Sequence, residues 1–191
     1  MSSKARIGIA LGALCISAFP AYAKDTLQPY VQIQRMWDDN LFRTETDTRS
    51  GTVDISSVGV ALDWRYGRQQ LTGHANASQV RYLEFEQLDY DGYDLDLQWN
   101  WQTVNGISGL LGCSESQTQS SLADIQSSLS NLRTQRQCKA GMFANPSGKW
   151  QARLVISDIQ SSNSDPSRQI YDSQERGLEA TLGQTTQAGN N

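Results

Sequence analysis

The stretch Tyr93-Asp94-Leu95-Asp96-Leu97-Gln98-Trp99-Asn100-Trp101 decides the fold class. Its odd positions are Tyr, Leu, Leu, Trp and Trp; its even positions are Asp, Asp, Gln and Asn. Successive side chains of a β-strand point to opposite faces. Strict alternation therefore puts every apolar group on one face and every polar group on the other. A helix would scatter the same aromatics around its circumference.

Weaker copies of the pattern lie on both sides. Trp150, Ala152, Leu154 and Ile156 alternate with Gln151, Arg153, Val155 and Ser157, and Val58, Val60, Leu62 and Trp64 with Gly59, Ala61 and Asp63. From Leu71 to Ser78 the apolar phase is Leu, Gly, Ala and Ala, against Thr72, His74, Asn76 and Ser78. Ile107 to Cys113 and Leu132 to Met142 each hold one phase, Val31, Ile33 and Trp37 open the series, and Leu178, Ala180 and Leu182 close it. Eight strands are predicted.

The connections alternate in length. Short turn signals fall at Tyr66-Gly67-Arg68, Val104-Asn105-Gly106, Asn145-Pro146-Ser147-Gly148 and Ala188-Gly189-Asn190. Longer polar links are predicted near Asp38–Gly51, Glu84–Asp91, Gln117–Leu129 and Gln160–Asp172. Antiparallel neighbours joined this way gather the short turns at one end and the long loops at the other, as transmembrane β-barrels do.

Composition fits the same picture. The 191 residues have a mean hydropathy of −0.53 yet hold seven Tyr and five Trp. Such a chain suits an architecture whose apolar groups cover one face only. Lys4 and Arg6, the apolar run Ile7 to Phe19 and Ala21-Tyr22-Ala23 read as a cleavable export signal over residues 1–23. Leu14 stands where a lipoprotein signal at Cys15 would want a small residue, so that reading is rejected. Loss of Lys4 and Arg6 leaves 14 basic against 20 acidic residues, a charge of −6, with no basic footprint for nucleic acid. One His in the chain, and Cys113 and Cys138 as the cysteines left after the signal, supply metal or His-based catalysis poorly. We expect no enzyme, no cofactor and no metal.

The fold expected for residues 24–191 is therefore all-β, an antiparallel up-and-down transmembrane β-barrel of about eight strands in the bacterial outer membrane. Outer-membrane lipid would cover the apolar face. Trp64, Trp99, Trp101 and Trp150, beside the short turns, would form an aromatic girdle. Asp63, His74, Asn76, Asp94, Asp96, Gln98, Arg133, Lys139 and Arg153 would line the lumen. The alternatives are a small closed barrel with a structural or adhesive role and a soluble periplasmic carbohydrate-binding β-sandwich.

Three strings carry a family resemblance. Asp38-Asp39-Asn40-Leu41-Phe42-Arg43, Leu88-Asp89-Tyr90-Asp91-Gly92-Tyr93 and Asn131-Leu132-Arg133-Thr134, in this order and spacing, resemble the EpsL-like family of porin-like outer-membrane β-barrels encoded in exopolysaccharide operons. The resemblance covers essentially all of residues 24–191. It implies an outer-membrane location, a role in exporting an extracellular polysaccharide, and other export components as partners. It brings no catalytic motif. Family members are about twice this length, and this chain ends in a turn signal without a terminal aromatic, so the resemblance implies the N-terminal half of a larger, truncated barrel.

Individual constellations have plain readings. Asp94 and Asp96, with Asp63 nearby, could do acid–base or glycosidic chemistry, but any lumen-facing alternating strand presents such residues. They would act as an electrostatic lining, partly offset by Arg133, Lys139 and Arg153. His74 is read as a hydrogen-bonding lumen residue, and Asp38-Asp39-Asn40 as an Asx turn without the Gly and Glu of an EF-hand loop. Leu41-Phe42, apolar inside a polar loop, predicts a loop folded back against the barrel wall or mouth. Cys113 and Cys138 would stand opposite each other in a hairpin whose turn centres near Ile125 and Gln126, which makes them a candidate disulfide.

Overall fold

A computed structural model describes residues 26–120, 131–145 and 149–184. The export signal, the Ile125–Gln126 turn centre and the Ala188-Gly189-Asn190 turn signal lie outside the described residues, as does most of the Asn145–Gly148 signal.

Eight strands form one antiparallel sheet in chain order: β1 (Leu27–Asp38), β2 (Gly51–Tyr66), β3 (Gln69–Tyr82), β4 (Tyr90–Gln102), β5 (Ile107–Gln119), β6 (Leu132–Ala144), β7 (Trp150–Asn163) and β8 (Ser173–Gln184). The topology is up-and-down, as the alternating link lengths predict. The sheet is open, with β1 and β8 as its two edges, so the described strands do not close a barrel. All eight lie in this single sheet, and a sandwich's second sheet is not among the described residues.

Turn chemistry sets the registers. Gly67 and Arg68 alone join Tyr66 to Gln69, and Gly67 takes φ +57°, as the first central residue of a type II′ hairpin must. Gly106 takes φ +73° at the end of the four-residue link to β5, where Thr103 donates its amide to the Ile107 carbonyl at 2.7 Å. Side chains fill the space above two strand glycines: the Tyr30 ring lies over Gly59 and the Trp101 ring over Gly109, where a Cβ would overlap them.

Several strands outrun their sequence expectation. β5 continues to Gln119, β7 to Asn163, β3 to Tyr82, and β4 begins at Tyr90, inside a predicted link. Alternation fails as a signal there because both faces are polar, as in Gln160-Ser161-Ser162-Asn163, or because the apolar phase switches sides.

Candidate functional site

Directly opposed residues of a ladder share a face, so the strand registers assign every side chain to one of two surfaces. The first surface holds Val58, Val60, Leu62 and Trp64 of β2 opposite Ala77, Ala75, Gly73 and Leu71 of β3, and these opposite Tyr93, Leu95, Leu97 and Trp99 of β4. Leu111, Ala140, Ile156 and Leu178 continue it to the far edge. Among the described residues nothing covers it: Leu97 is 51% exposed, Leu178 74% and Leu182 79%. Trp64, Trp99, Trp101 and Trp150 all fall on this surface at its short-turn end. Trp64 stacks on Tyr66, and the Trp99 indole donates to Gln69.

The second surface carries all nine polar candidates, Asp63, His74, Asn76, Asp94, Asp96, Gln98, Arg133, Lys139 and Arg153. Much of its charge is satisfied within the sheet. His74 Nε2 contacts the Asp94 carboxylate, a cross-strand partner that its own segment could not reveal. Arg65 pairs with Asp63 at 3.1 Å, and Gln70 donates to the same carboxylate. Arg153 reaches Glu179 at 3.6 Å and lies over the Phe143 ring, while Arg133 donates to Ser161 Oγ at 2.8 Å. Asp38 accepts from the Asn40 amide and is held by Arg43, so the Asp38-Asp39-Asn40 string is an Asx turn closed by an ion pair. Among the described residues no group of three or more His, Cys, Asp or Glu stands where it could hold a metal ion.

Towards the long loops the polarity of the two surfaces exchanges. In β2, Val53 and Ile55 share the face of Asp63, whereas Val58 to Leu62 occupy the opposite one; the switch falls at Ser56-Ser57. Val80 and Tyr82 of β3 repeat the change. Val53 and Val80 are 5% and 4% exposed on what is elsewhere the polar face. The β1–β2 loop and the 3-10 turn Glu86–Leu88 fold over this end, burying Phe42 and Leu88 with Leu41, Tyr82 and Phe85 packed against them. Phe42 meets Phe85 edge-on at 5.1 Å. The other face at this level is charged: Arg35 grips Asp54 through two 2.6 Å hydrogen bonds, Arg81 bonds Asp91 at 2.9 Å, and Arg176 lies 3.5 Å from Asp158. Sequence reasoning missed these ion pairs. Their signal was the phase switch inside a single strand, which a reading for continuous alternation passes over.

The apolar band also runs obliquely. One cross-strand row passes through Leu27, Leu62, Gly73, Leu97, Cys113, Cys138, Asp158 and Arg176. It begins on the first apolar residue of β1, crosses the middle of the band on β4, and ends on charged residues beyond the band on β7 and β8. The band thus drifts by about one residue per strand, which at roughly 3.3 Å rise and 4.8 Å spacing is a tilt of about 35° between the strands and the normal to the band. On β4 the band from Tyr93 to Trp101 then stands about 22 Å tall.

Cys113 and Cys138 are directly opposed in the β5–β6 ladder and joined as a disulfide, with Cα atoms 4.1 Å apart. No protein-family model, curated protein or solved structure matches the chain.

Proposed function

We propose that this chain is the wall of an outer-membrane, porin-like β-barrel that serves exopolysaccharide export. The observation that carries the membrane part is the oblique apolar band. A band of about 25 Å on strands tilted 35–45°, flanked by aromatics, is what lipid-facing strands require. Here the band is about 22 Å tall at about 35°, with Trp64, Trp101 and Trp150 at one edge and Tyr93 at the other. Beyond it the strands continue with charge outside and apolar groups inside, as a wall standing in water would. A soluble sheet has no reason to exchange its faces partway along β2 and β3.

In this reading the nine polar candidates face a lumen, the band meets outer-membrane lipid, and the short turns lie on the periplasmic side. The export role rests on the EpsL-like resemblance and on the amide-rich and hydroxyl-rich polar face, where Gln98, Asn100, Gln135, Gln137 and Ser114 can bond sugar hydroxyls. The chain moves no electrons and breaks no bonds; it supplies a polar path through an apolar layer.

Carbonate extraction of isolated membranes tests the location: the protein stays with the lipid and needs detergent for release. Recovery in the carbonate supernatant would overturn the membrane reading. Unchanged polysaccharide secretion after deletion of the gene would overturn the export role.

A further inference from the structure

At the short-turn end of the second surface, Ser108, Phe143, Arg153 and Thr181 stand directly opposite one another on β5, β6, β7 and β8. Neighbouring strands lie about 4.8 Å apart, so this row crosses about 14 Å of sheet. Gln151 and Gly183 form the next pair towards the turns. Together the six line an open hollow of about 360 Å³, within the size range of small-molecule pockets. A Cβ added at Gly183 meets nothing within 4 Å among the described residues, so the hollow is open above that glycine.

The side chains around it are short of partners. Ser108, Gln151 and Thr181 make no side-chain hydrogen bond among the described residues. The Arg153 guanidinium lies 5.6 Å from the centre of the Phe143 ring and 3.6 Å from Glu179, an ion pair too long for a hydrogen bond. Its five N–H donors are therefore unbonded among the described residues. Arg65 and Arg133 of the same surface differ, since they donate to Asp63 and Ser161.

We propose that this hollow binds a carboxylated sugar, of the uronic acid class, through Arg153. A guanidinium presents a planar fork that matches a carboxylate in two parallel bonds. The hydroxyls of Ser108 and Thr181 and the amide of Gln151 both donate and accept, as sugar hydroxyls require. The face of the Phe143 ring steadies the cation. Glu179 limits the charge of the ligand: it already offsets part of Arg153, so a single carboxylate is accommodated and a phosphate dianion is repelled. Asp94 and Asp96 do not oppose an anion here. They stand on β4, three strands from β7 and thus about 14 Å across the sheet, beyond the roughly 8 Å over which salt screens exposed charges. The site deepens the export reading above and rests on it for the source of the ligand. That reading puts the short turns on the periplasmic side, where a chain of acidic sugars would enter.

The test is an NMR titration of the full chain, folded in detergent, with sodium glucuronate and separately with glucose. Glucuronate should shift the amide signals of Thr181 and Gly183, and glucose should bind at least about tenfold more weakly. Arg153→Gln should abolish the preference, and Arg153→Lys, which keeps the charge without the fork, should recover part of it. Glu179→Gln removes the competing carboxylate and should tighten glucuronate binding several-fold. Gly183→Leu, whose side chain enters the open space of the hollow, should remove the shifts. Unchanged β4 amide signals show that each variant folds. Equal binding of glucose and glucuronate, or a glucuronate preference that survives Arg153→Gln, would overturn the proposal, as would the absence of shifts in the folded parent chain. Polysaccharide secretion unchanged by deletion of the gene, with the glucuronate preference intact, would support the site and fail the export reading alone.

Discussion

Cys113 and Cys138 face each other across the β5–β6 ladder at a Cα separation of 4.1 Å, on the surface that also carries Leu97 and Leu111. The bond closes a loop of sequence separation 25, and cross-linking a loop of that size restricts the unfolded chain by up to about 3.5 kcal/mol. Both cysteines should resist maleimide until reduced and react fully afterwards, as read by peptide mass. Reduction, or the Cys113→Ser/Cys138→Ser variant, should lower the urea midpoint of the reconstituted protein. Two reactive thiols in the oxidised, folded chain would rule the bond out.

Neighbouring positions on β4 separate a lipid-facing sheet from one in water. Leu97→Arg places a charge at mid-band and should destabilise the reconstituted protein by about 2–4 kcal/mol, the cost found at the bilayer midplane. Gln98→Arg, on the opposite face, should change stability by less than about 0.5 kcal/mol. Denaturant titration in lipid reads both. A neutral or stabilising Leu97→Arg would mean that water covers this surface, since Leu97 is 51% exposed.

These contrasts show where the sequence was legible. On β4 the alternation runs unbroken through nine residues, so strand, faces and aromatic edge could all be read from it. The turns at Gly67 and Gly106 were legible because each needs a positive φ that glycine adopts freely. The far ends of the strands were not, because Ser56-Ser57 resets the phase and Ser114 to Gln119 has no apolar phase. The His74–Asp94 contact joins residues twenty apart on different strands, and only the β3–β4 register brings them together. The open edges lay beyond any pattern within a strand, since curvature is a property of the whole sheet.

The Leu41-Phe42 dipeptide closes over the sheet face that carries Val53 and Val80, and its removal should have two effects. Phe42 is 7% exposed against fully buried Leu88, so Phe42→Ala leaves a cavity and should cost about 3–5 kcal/mol, less what the loop recovers by collapsing. If the sheet lines the proposed conduit, the same variant should pass more current in planar bilayers than the parent chain, because the loop would no longer pack across the conduit's mouth. Asn40→Gly removes the hydrogen bonds between Asn40 and Thr44 without touching the apolar cluster, and should loosen the loop at smaller cost. Equal conductance in all three would show that this loop does not narrow the path.

Beyond the β7 end, the 3-10 turn Pro166–Tyr171 makes a loop sensitive to acid. The amide of Ser167 donates to Asp165 Oδ1 at 2.9 Å and its hydroxyl at 2.8 Å; these bonds, the amide first, hold the Asp165 carboxyl below its ordinary 3.8, with Arg168 adding a smaller pull. A depressed value in the folded state means the unfolded chain takes up the proton first as pH falls. The contribution is therefore complete above the unfolded value near 3.8 and disappears as pH drops through the lower folded one. Fully buried Asn131 ties this loop to the sheet, accepting from the Asp165 amide at 3.0 Å and donating to Ser120 and Asn163 at 2.9 Å each. Acid should accordingly free the turn while Asn131 keeps its anchor, so the Ser167 amide should lose hydrogen-exchange protection only once pH has fallen below 3.8, through the lowered folded value, while that of Leu132 holds. Asp165→Asn should abolish the pH dependence at Ser167. Protection at Ser167 that stays level through the carboxylate range in the parent chain would show that the Asp165 cap does not hold the turn.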